Sequence, residues 1–558
     1  MSSYKVQCNG RAANTHFYLV IIDIDNFKRV NDALGHSVGD VLIQYLALRI
    51  SGSINKHESI SYLGAGSFAL IFDCDEATLR LNLKALNALL IEPFIVSGND
   101  ICLTCSQGVA KFPDDGDDWE TLLKHAEIAL YEAKNQGRDT HRFFNPAMDA
   151  KLMRQFRLRG DIRNAIERND FYLLYQPQVG APEGKIIGME ALIRWNHPEL
   201  GELSPMEFIP LAEDSELICE IGDWVIQTAC AMNKQWQDQG ILNAVVAVNV
   251  SARQFKNGSI LASVEKALHN SGLAPGFLEL ELTESLLMVQ PDVSATTLKK
   301  LSNLGVKVSI DDFGTGYSSL SYLKHFPIDQ IKIDQGFVGN ITTSSDDSAI
   351  ALTIIAMAHQ LKREVIAEGV ETEAQFRYLH RHHCYKYQGY YFSKPLPVSA
   401  IKEGFVDYYP GVKDFHAQTH GEQTVLLVDD EPGIVQSLKR LFRRTPYRLL
   451  AASNVDDCFE ILACESVDIV LCDQQLAARN GTELLKQIKN LYPEVLSILL
   501  STFSDVGTVI DSVNEGSIFK FLLKPWNDDE LLISLKEAFH YRKLEQENRL
   551  LKQTLNDQ

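Results

Sequence analysis

Short runs of apolar, often β-branched residues alternate along this chain with longer stretches in which apolar residues recur every three or four positions. The short runs are typical of buried strands, and the longer stretches are typical of amphipathic helices. Many of the short runs end in Asp, Glu, Asn or Lys, which places polar side chains at strand ends. The pattern therefore predicts an α/β protein whose chemistry lies at the edges of its sheets.

Three breaks in composition divide the chain. They lie near residues 143–146, at residues 408–422, and after about Glu537, where the sequence becomes one polar helix. At about 150 residues per domain, a chain of 558 residues is expected to form three or four domains. We predict domains at residues 1–145, 146–408 and 423–540, a linker at 409–422 and a final helix at 541–558.

The final helix carries apolar residues at alternating spacings of three and four. The positions are Tyr541, Leu544, Asn548, Leu551 and Leu555. This is the seam of a coiled coil with an Asn at one a position, which favours a parallel homodimer in one register. The alternative is a surface helix packed on its own domain.

Composition narrows the classes of partner. The formal net charge of −20 argues against a protein held on DNA or on an anionic membrane by its overall charge. A small anionic ligand remains compatible, because a pocket can be locally basic or hold metal ions. Cys102 and Cys105 form the only close cysteine pair, and we expect buried thiols rather than half of a zinc site. No apolar run reaches the roughly 18 residues of a membrane helix, so we expect a cytoplasmic protein.

The first segment opens with an apolar strand that ends in acids. The sequence FYLVIIDIDNF carries Asp23 and Asp25, and carboxylates at a strand end suit Mg²⁺ held against a triphosphate. The simpler alternative is a pair of surface acids that cap the next helix. The segment resembles the GGDEF family of diguanylate cyclases, from Asp23 to ALYEAKNQGRD at residues 129–139. The resemblance implies a GTP site formed by Asp23, Asn31, Asp40, Lys134 and Arg138.

This segment departs from the family at the central hairpin. Gly66 and Ser67 occupy its two acidic positions, and Gly66 replaces a carboxylate that would help to hold the metals. Residues 55–58 also lack the Arg-x-x-Asp inhibition motif. Because loss of a charged ligand removes electrostatic stabilisation of phosphoryl transfer, we expect a degenerate domain that makes no cyclic dinucleotide. Whether it binds GTP as a regulator is open.

In the middle segment, strand after strand ends in a polar residue. The strand-end residues are Glu190, Asn249, Glu281 with the nearby Glu284, Asp311 with Asp312, Lys332, Glu368 with the nearby Glu371, and Gln388. This is the layout of a barrel whose site is built from the carboxyl ends of successive strands. Any single acid could be a helix cap or a surface ion pair, but the repeated placement favours a site.

The residue types suggest the reaction. Glu190, Asn249, Glu281 and Asp311 offer hard oxygen ligands, which suit Mg²⁺ or Mn²⁺. One carboxylate of the Asp311–Asp312 pair can bridge two ions about 3.5–4 Å apart, an arrangement that promotes phosphodiester hydrolysis. Lys332 can orient or deprotonate the attacking water if metals and burial lower its pKa.

The middle segment closely resembles the EAL family of cyclic di-GMP phosphodiesterases. The resemblance implies a modified TIM barrel that converts cyclic di-GMP to pGpG. By position it assigns Glu190, Asn249, Glu281 and Asp311 to one metal; Asp311, Asp312 and Glu368 to the second; Lys332 and Gln388 to the catalytic water; Glu284 to support of the Asp-Asp-Phe-Gly loop; and Gln176 and Arg194 to the substrate. The alternative is an inactive cyclic di-GMP receptor or scaffold acting through protein partners. The run His382-His383-Cys384-Tyr385 departs from the family just before Gln388, where an acidic residue is common, and we disfavour a zinc site for it.

The last segment repeats the strand-end theme with a different set. The residues are Asp429 and Asp430 after one strand, Asp473 after another, Ser501 after a third and Lys524 after a fourth. Acids that hold Mg²⁺ beside an Asp nucleophile, a hydroxyl and a Lys form an acyl-phosphate site. The segment resembles response-regulator receiver domains, which are doubly wound parallel sheets.

The receiver resemblance implies phosphorylation of Asp473 by a sensor histidine kinase, with Phe521 as the switch aromatic. Leu476-Ala477 replaces the usual Met-Pro after the acceptor. We expect phosphorylation to change the phosphodiesterase rate through the arrangement of two subunits.

Overall fold

The computed structural model describes residues 16–53, 59–96, 99–181, 183–256, 258–316, 323–404, 423–476, 480–501 and 518–556. The predicted linker at 409–422, residues 55–58 and Ala477 lie outside this set. The chain divides into two compact units, Met1–Asp161 and Ile162–Gln558, and each is described separately. Among the described residues, no helix combines the length and the apolar character needed to cross a membrane.

The first unit is a five-stranded sheet with helices around it, in the order β2-β3-β1-β6-β7. Its strands are β1 (Phe17–Ile24), β2 (Ser59–Gly64), β3 (Ser67–Phe72), β6 (Cys105–Phe112) and β7 (His141–Phe143), with a separate β4 (Phe94–Val96) and β5 (Asn99–Ile101) pair. Its helices are α1 (Phe27–Leu34), α2 (His36–Ser53), α3 (Glu76–Ile91), α4 (Trp119–Asn135) and the first part of α5 (Pro146–Arg168). The apolar strand β1 lies in the middle, antiparallel to β3 and β6, which explains why its residues are buried.

Two local features of the first unit bear on the predictions. The β2–β3 hairpin turns at Ala65 and Gly66, both with positive φ (52° and 90°), and a glycine is favoured in such a turn. Cys105 is buried, but Cys102 is exposed, so the expectation of two buried thiols was wrong for Cys102. Cys102 directly follows β5, between the buried Ile101 and Leu103, and its own side chain faces solvent.

The second unit begins with a closed barrel of eight strands. The strands are β8 (Phe171–Gly180), β9 (Lys185–His197), β11 (Val245–Asn249), β12 (Leu278–Thr283), β13 (Lys307–Phe313), β14 (Gln330–Ile333), β15 (Glu364–Ala367) and β16 (Lys386–Tyr387), with β10 (Gly201–Leu203) added outside β9. Strand β8 runs antiparallel to both β9 and β16, and the other neighbours in the barrel are parallel. The predicted modified TIM barrel is confirmed.

Helices surround the barrel and cover its apolar strands. They are α6 (Pro205–Glu213), α7 (Leu217–Asp238), α8 (Ala252–Lys256), α9 (Ser259–Ser271), α10 (Glu284–Met288), α11 (Pro291–Leu304), α12 (Gln335–Gly339), α13 (Ser345–Gln360), α14 (Glu373–Arg381) and α15 (Val398–Gly404). The strand register brings the carboxyl ends to one edge: Asn249 pairs with Glu281, and Asp311 pairs with Thr283. The polar strand-end residues are therefore neighbours in space, as barrel geometry requires.

A doubly wound domain completes the second unit, and its five strands are all parallel in the order β18-β17-β19-β20-β21. The strands are β17 (Thr424–Val428), β18 (Arg448–Ala452), β19 (Ile469–Asp473), β20 (Leu496–Ser501) and β21 (Lys520–Leu523). The helices are α16 (Pro432–Phe442), α17 (Val455–Cys464), α18 (Gly481–Leu491) and α19 (Asp528–Asn556). The prediction of this fold is confirmed.

The predicted final helix is the second half of α19. Tyr541 and Leu544, the first two seam positions, are exposed. The side chains of the other three seam positions lie outside the described set. Exposed apolar residues on one face are compatible with a helix that pairs with a second copy, and the coiled coil remains a prediction.

Candidate active site

Lys332 lies at the centre of a group of acids at the carboxyl edge of the barrel. Its side chain is 1% exposed, and its Nζ lies 2.8 Å from Glu281 Oε2, 3.2 Å from Asp311 Oδ1 and 2.6 Å from Glu368 Oε1. These residues come from four different strand ends, β14, β12, β13 and β15. Burial alone would lower the pKa of Lys332, but the surrounding carboxylates raise it well above its usual value. Lys332 is therefore a buried cation in this arrangement.

Glu190, on β9, also belongs to this group of acids, and both of its carboxylate oxygens accept hydrogen bonds. Oε1 accepts from Asn249 Nδ2 at 2.7 Å, and Oε2 accepts from Gln388 Nε2. Burial would raise the pKa of Glu190, but Lys332 and these hydrogen bonds outweigh it and hold the pKa below its usual value. Burial and the nearby Glu190 charge raise the pKa of Glu281 well above its usual value. The charged form is thus favoured for Glu190 and disfavoured for Glu281, although the two side chains are close.

The Asp311–Asp312 pair lies where β13 gives way to a glycine-containing turn. Asp312 has a φ of 52°, and its backbone N–H donates to Asp311 Oδ1 at 3.0 Å. Burial and the charges of Asp311 and Asp334 raise the pKa of Asp312 to about 6. Glu284, buried at the start of α10, accepts a hydrogen bond from the N–H of Gly314 at 3.1 Å. Glu284 therefore contacts the loop that the sequence analysis expected it to support.

A row of glutamines connects the closing strands to Glu190. Gln388 Nε2 also donates to Gln176 Oε1 at 3.2 Å, and Gln388 Oε1 accepts from Gln178 Nε2 at 3.1 Å. Gln178 is 3% exposed and was missed by the sequence analysis. Its only sequence signal is a polar residue inside the apolar strand β8, on the same face as Gln176. Together the glutamines fix the orientation of the Gln388 amide.

Glu368 belongs to the acid group, and two further predicted residues, Glu371 and Arg194, have other contacts. Burial and nearby carboxylates raise the pKa of Glu368 to about 8, although Lys332 opposes this. Glu371 is exposed, and its backbone N–H donates to Gln375 Oε1 at 2.8 Å. Arg194 lies further along β9 than Glu190 and donates to the carbonyl of Ile193 at 2.8 Å. Arg194 is half-buried near the end of β9.

The donor set fits divalent cations that prefer oxygen. Glu190, Glu281, Asp311, Asp312 and Glu368 supply carboxylates, and Lys332 Nζ contacts three of them, Glu281, Asp311 and Glu368. Buried carboxylates are costly unless cations compensate them, and one ammonium group faces several acids here. The residues present therefore fit the two ions that the sequence analysis predicts.

A second acidic site lies at the carboxyl edge of the doubly wound sheet. The carboxylate oxygens of Asp429, Asp430 and Asp473 lie within 4.8 Å of one another, and no other such trio of His, Cys, Asp or Glu occurs among the described residues. The barrel acids are instead arranged around Lys332. The His382–Cys384 run thus forms no metal cluster of this kind, and Cys384 is fully buried.

Lys524 joins the members of this second site. Its Nζ lies 2.8 Å from Asp473 Oδ1 and 3.2 Å from Asp429 Oδ2, and its backbone N–H donates to the carbonyl of Ser501 at 2.7 Å. Burial would lower the pKa of Lys524, but the two aspartates raise it. Phe521 lies half-buried on β21, and the Lys524–Pro525 peptide is cis. The structure thus brings together the residues predicted for phosphoryl transfer.

The predicted nucleotide site of the first unit is organised differently. Asp23 Oδ1 lies 2.5 Å from Lys134 Nζ, and Asp23 Oδ2 accepts from Ser67 Oγ at 2.5 Å. Asp25 is buried and accepts from the hydroxyls of Thr104 and Ser106 at 2.8 Å each. Asp25 is therefore a structural carboxylate, and Asp23 already has a cation and a donor.

The other predicted members of the nucleotide site come from separate elements. Asn31 lies half-buried on α1, Asp40 is exposed on α2, and Arg138 follows α4 with a φ of 62°.

Three family models match the chain: the EAL domain at residues 159–395, the diguanylate cyclase GGDEF domain at 3–140, and the response regulator receiver domain at 425–536. The chain is 42% identical over 389 residues to the bifunctional diguanylate cyclase/cyclic di-GMP phosphodiesterase MucR of Pseudomonas aeruginosa, covering 69% of this chain and 56% of MucR. It is 38% identical over 396 residues to the cyclic di-GMP phosphodiesterase NbdA of the same organism, covering 71% of this chain and 51% of NbdA.

Among solved structures, the phosphodiesterase of P. aeruginosa MucR in complex with cyclic di-GMP is 46% identical, with a TM-score of 0.43, and the match covers 44% of this chain and 99% of that one. The chain spans only about half the length of the curated relatives described above. The three family matches cover the three segments that carry the strand-end residues. The chain therefore belongs to the GGDEF–EAL family and carries a GGDEF domain, an EAL domain and a receiver domain, in that order.

Proposed function

We propose that the EAL domain hydrolyses cyclic di-GMP to pGpG with two divalent cations, Mg²⁺ or Mn²⁺. The observation that carries the proposal is the convergence of Glu281, Asp311 and Glu368 on Lys332, with Glu190 and Asn249 beside them. The relatives MucR and NbdA, which are named for this activity, support the choice of substrate.

Each residue has a role in this proposal. Glu190, Asn249, Glu281 and Asp311 would hold one ion, and Asp311, Asp312 and Glu368 would hold the other. When bound, such ions ready a water molecule and offset the charge that develops on the phosphate. Lys332, held as a cation by the acids, orients the water and adds positive charge beside the phosphate.

The glutamines and Arg194 position the substrate. Gln388 is fixed by Gln178 and Gln176 and presents its amide to Glu190, so it can orient the attacking water. Arg194 suits a phosphate oxygen because its guanidinium donates in a planar fork. Glu284 holds the turn that carries Asp312 through the N–H of Gly314.

We also propose that the GGDEF domain makes no cyclic di-GMP. Gly66 offers no side-chain ligand, and Ser67 donates to Asp23 instead of adding a carboxylate. Asp23 would have to bind metal alone while paired with Lys134. Regulation by bound GTP remains a prediction from the sequence.

For the receiver domain we propose phosphorylation of Asp473 by a sensor histidine kinase, with Mg²⁺ held by Asp429, Asp430 and Asp473. The trio of acids with Lys524 in contact supports this proposal. A homodimer through α19 and a cytoplasmic location remain predictions of the sequence.

The test of the phosphodiesterase is turnover of cyclic di-GMP by the purified chain, followed by chromatography of the nucleotides. We expect pGpG to form with Mg²⁺ or Mn²⁺ and formation to stop with EDTA. Binding of cyclic di-GMP without any pGpG, over a full range of both metals, would contradict the proposal and would favour the inactive receptor.

A further inference from the structure

The receiver domain packs directly on its own barrel, through helices that flank the active site. Two arginines one turn apart on α14 donate to the end of receiver helix α17: Arg377 Nη1 to the carbonyl of Cys464 at 3.0 Å, and Arg381 Nη1 to the carbonyl of Leu462 at 2.9 Å. The last carbonyls of a helix lack partners within it and carry its partial negative charge. The arginines therefore cap α17 from the barrel.

A second receiver helix, α18, touches the same face of the barrel. Gln487, on α18, donates to the carbonyl of Thr343 just before α13. Tyr492, which directly follows α18, meets Tyr378 of α14 edge to face, with ring centroids 5.7 Å apart. Both tyrosines are buried, and Tyr378 shares a 2.7 Å hydrogen bond with Ser348 of α13. The α18 region therefore makes defined contacts with barrel helix α14 and with the segment that leads into α13.

The first residue of helix α18, Gly481, lies next to the phosphoacceptor Asp473 in space. The N–H of Gly481, its first residue, donates to the carbonyl of Gln474, the residue after Asp473. A Cβ on Gly481 would lie 2.1 Å from the carbonyl oxygen of Asp473, so only glycine permits this approach. A change in the backbone at Asp473 must therefore move the start of α18.

On the barrel side, α14 is joined closely to the active site. Its N-cap Thr372 forms a capping box with Gln375, and Gln375 Oε1 accepts from the N–H groups of both Glu371 and Thr372. The segment between β15 and α14 is held to the site as well. The N–H of Glu368 donates to Ile333, and that of Val370 donates to the carbonyl of Gln388. Movement of α14 would therefore shift Glu368 and Gln388 together.

We propose that the receiver regulates the phosphodiesterase within a single chain, by a path from Asp473 through α18 and Tyr492 to α14, which Arg377 and Arg381 also anchor to α17, and from α14 to the Glu368–Thr372 segment. This inference rests on the proposed phosphodiesterase function and names the device that controls it. Packed helices pass on small shifts because their contacts have discrete arrangements. In this proposal the signal passes through contacts inside one subunit, whereas the sequence predicted a change in the arrangement of two subunits.

The test uses the full chain with Arg377→Ala and Arg381→Ala combined, compared with the matched pair Lys299→Ala and Lys300→Ala on α11. The control removes the same charge from exposed positions of the same barrel. Each protein is treated with Mg²⁺, with and without beryllofluoride as the phosphate mimic. We expect beryllofluoride to change the pGpG rate of wild type and control at least about fivefold in one direction, and the double variant to lose that response.

Hydrogen–deuterium exchange supplies a readout that does not depend on activity. Beryllofluoride should change exchange in peptides covering residues 368–381 in wild type and control but not in the double variant. Unchanged exchange in the barrel strands would show that the double variant is folded, and Gln487→Ala, on the receiver side, should weaken the response in the same way.

Either of two results would overturn the inference: a wild type whose rate and exchange both ignore beryllofluoride, or a double variant that responds fully. Absence of pGpG in all proteins, with the exchange response still present in wild type and lost in the variant, would instead refute the proposed function and leave the path standing.

Discussion

The GGDEF and EAL domains both place a lysine against acids at strand ends, but in different proportions. In the GGDEF domain, Lys134 faces Asp23, whose second oxygen is taken by Ser67. In the EAL domain, Lys332 lies within 3.2 Å of three carboxylates, with Glu190 beyond them. One lysine neutralises one carboxylate, and with four acids converging the remaining negative charges are disfavoured, so the pKa values of Glu281 and Glu368 are raised. The comparison teaches that the number of unpaired acids decides whether a strand-end site calls for metal ions.

Removal of a ligand from the richer site should have the largest effect. Glu190→Ala and Asp311→Ala should each lower the rate of pGpG formation more than about a hundredfold, because a charge on the transferring phosphate loses its stabilisation. Chromatographic turnover assays at saturating Mn²⁺ measure this. Glu364→Ala, at the opposite end of β15, is the matched control and should stay near the wild-type rate. Turnover within tenfold of wild type in either ligand variant would contradict the assignment of these residues as metal ligands.

Removal of the Lys332 ammonium should lower the free energy of unfolding, because this cation balances the surrounding acids. Lys332→Met leaves the acids facing one another in a buried site, so the metal-free domain should lose about 3–5 kcal/mol of unfolding free energy. Denaturant unfolding in EDTA measures the loss. Mn²⁺ should restore more stability to this variant than to wild type, because the ions replace the missing positive charge. Equal stability of the two metal-free proteins would show that Lys332 does not balance the acids.

Alanine substitutions of Asp23 and Asp25 in the GGDEF domain should lower the stability by different amounts. Asp25→Ala leaves the hydroxyls of Thr104 and Ser106 without their acceptor and should cost about 2–3 kcal/mol. Asp23→Ala should cost at most about 1 kcal/mol, because Lys134 and Ser67 are partly exposed and can be solvated. Hydrogen exchange of β1 in the full chain reports both. A larger loss for Asp23→Ala would contradict the assignment of Asp25 as the structural carboxylate of the pair.

The smallest expected effect is on GTP. In a Glu190→Ala background, where any product would persist, incubation with GTP and Mg²⁺ should yield no cyclic di-GMP, since Gly66 supplies no metal ligand. Product detected by mass spectrometry would show that the hairpin was misread. The same reaction with an authentic diguanylate cyclase serves as the positive control.

The barrel and its acids could be predicted because each strand signal ends in the residue that does chemistry. Parallel strands then bring those ends together without further information. The charge balance around Lys332 could not be predicted in the same way, because it depends on distances between side chains from different strands. Asp23 and Asp25 look alike in sequence, being two residues apart at the end of one strand, and only their partners separate them.

Other features left little trace in the sequence. Gln178 is one polar residue in an apolar strand, and its role appears only once β8 lies beside the strand that leads to Gln388. Arg377 and Arg381 read as ordinary polar positions of an amphipathic helix. Their capping role depends on a second domain folding against that helix, which no local pattern encodes.

The most direct test of the central claim is anomalous diffraction from crystals of the full chain grown with Mn²⁺ and cyclic di-GMP, using Glu190→Gln if turnover must be slowed. The account predicts two manganese peaks at the barrel edge, one near Asn249, Glu281 and Asp311 and one near Asp312 and Glu368, and no peak at Asp23. Manganese bound at Asp23, or a barrel edge without manganese in the wild-type protein, would contradict it.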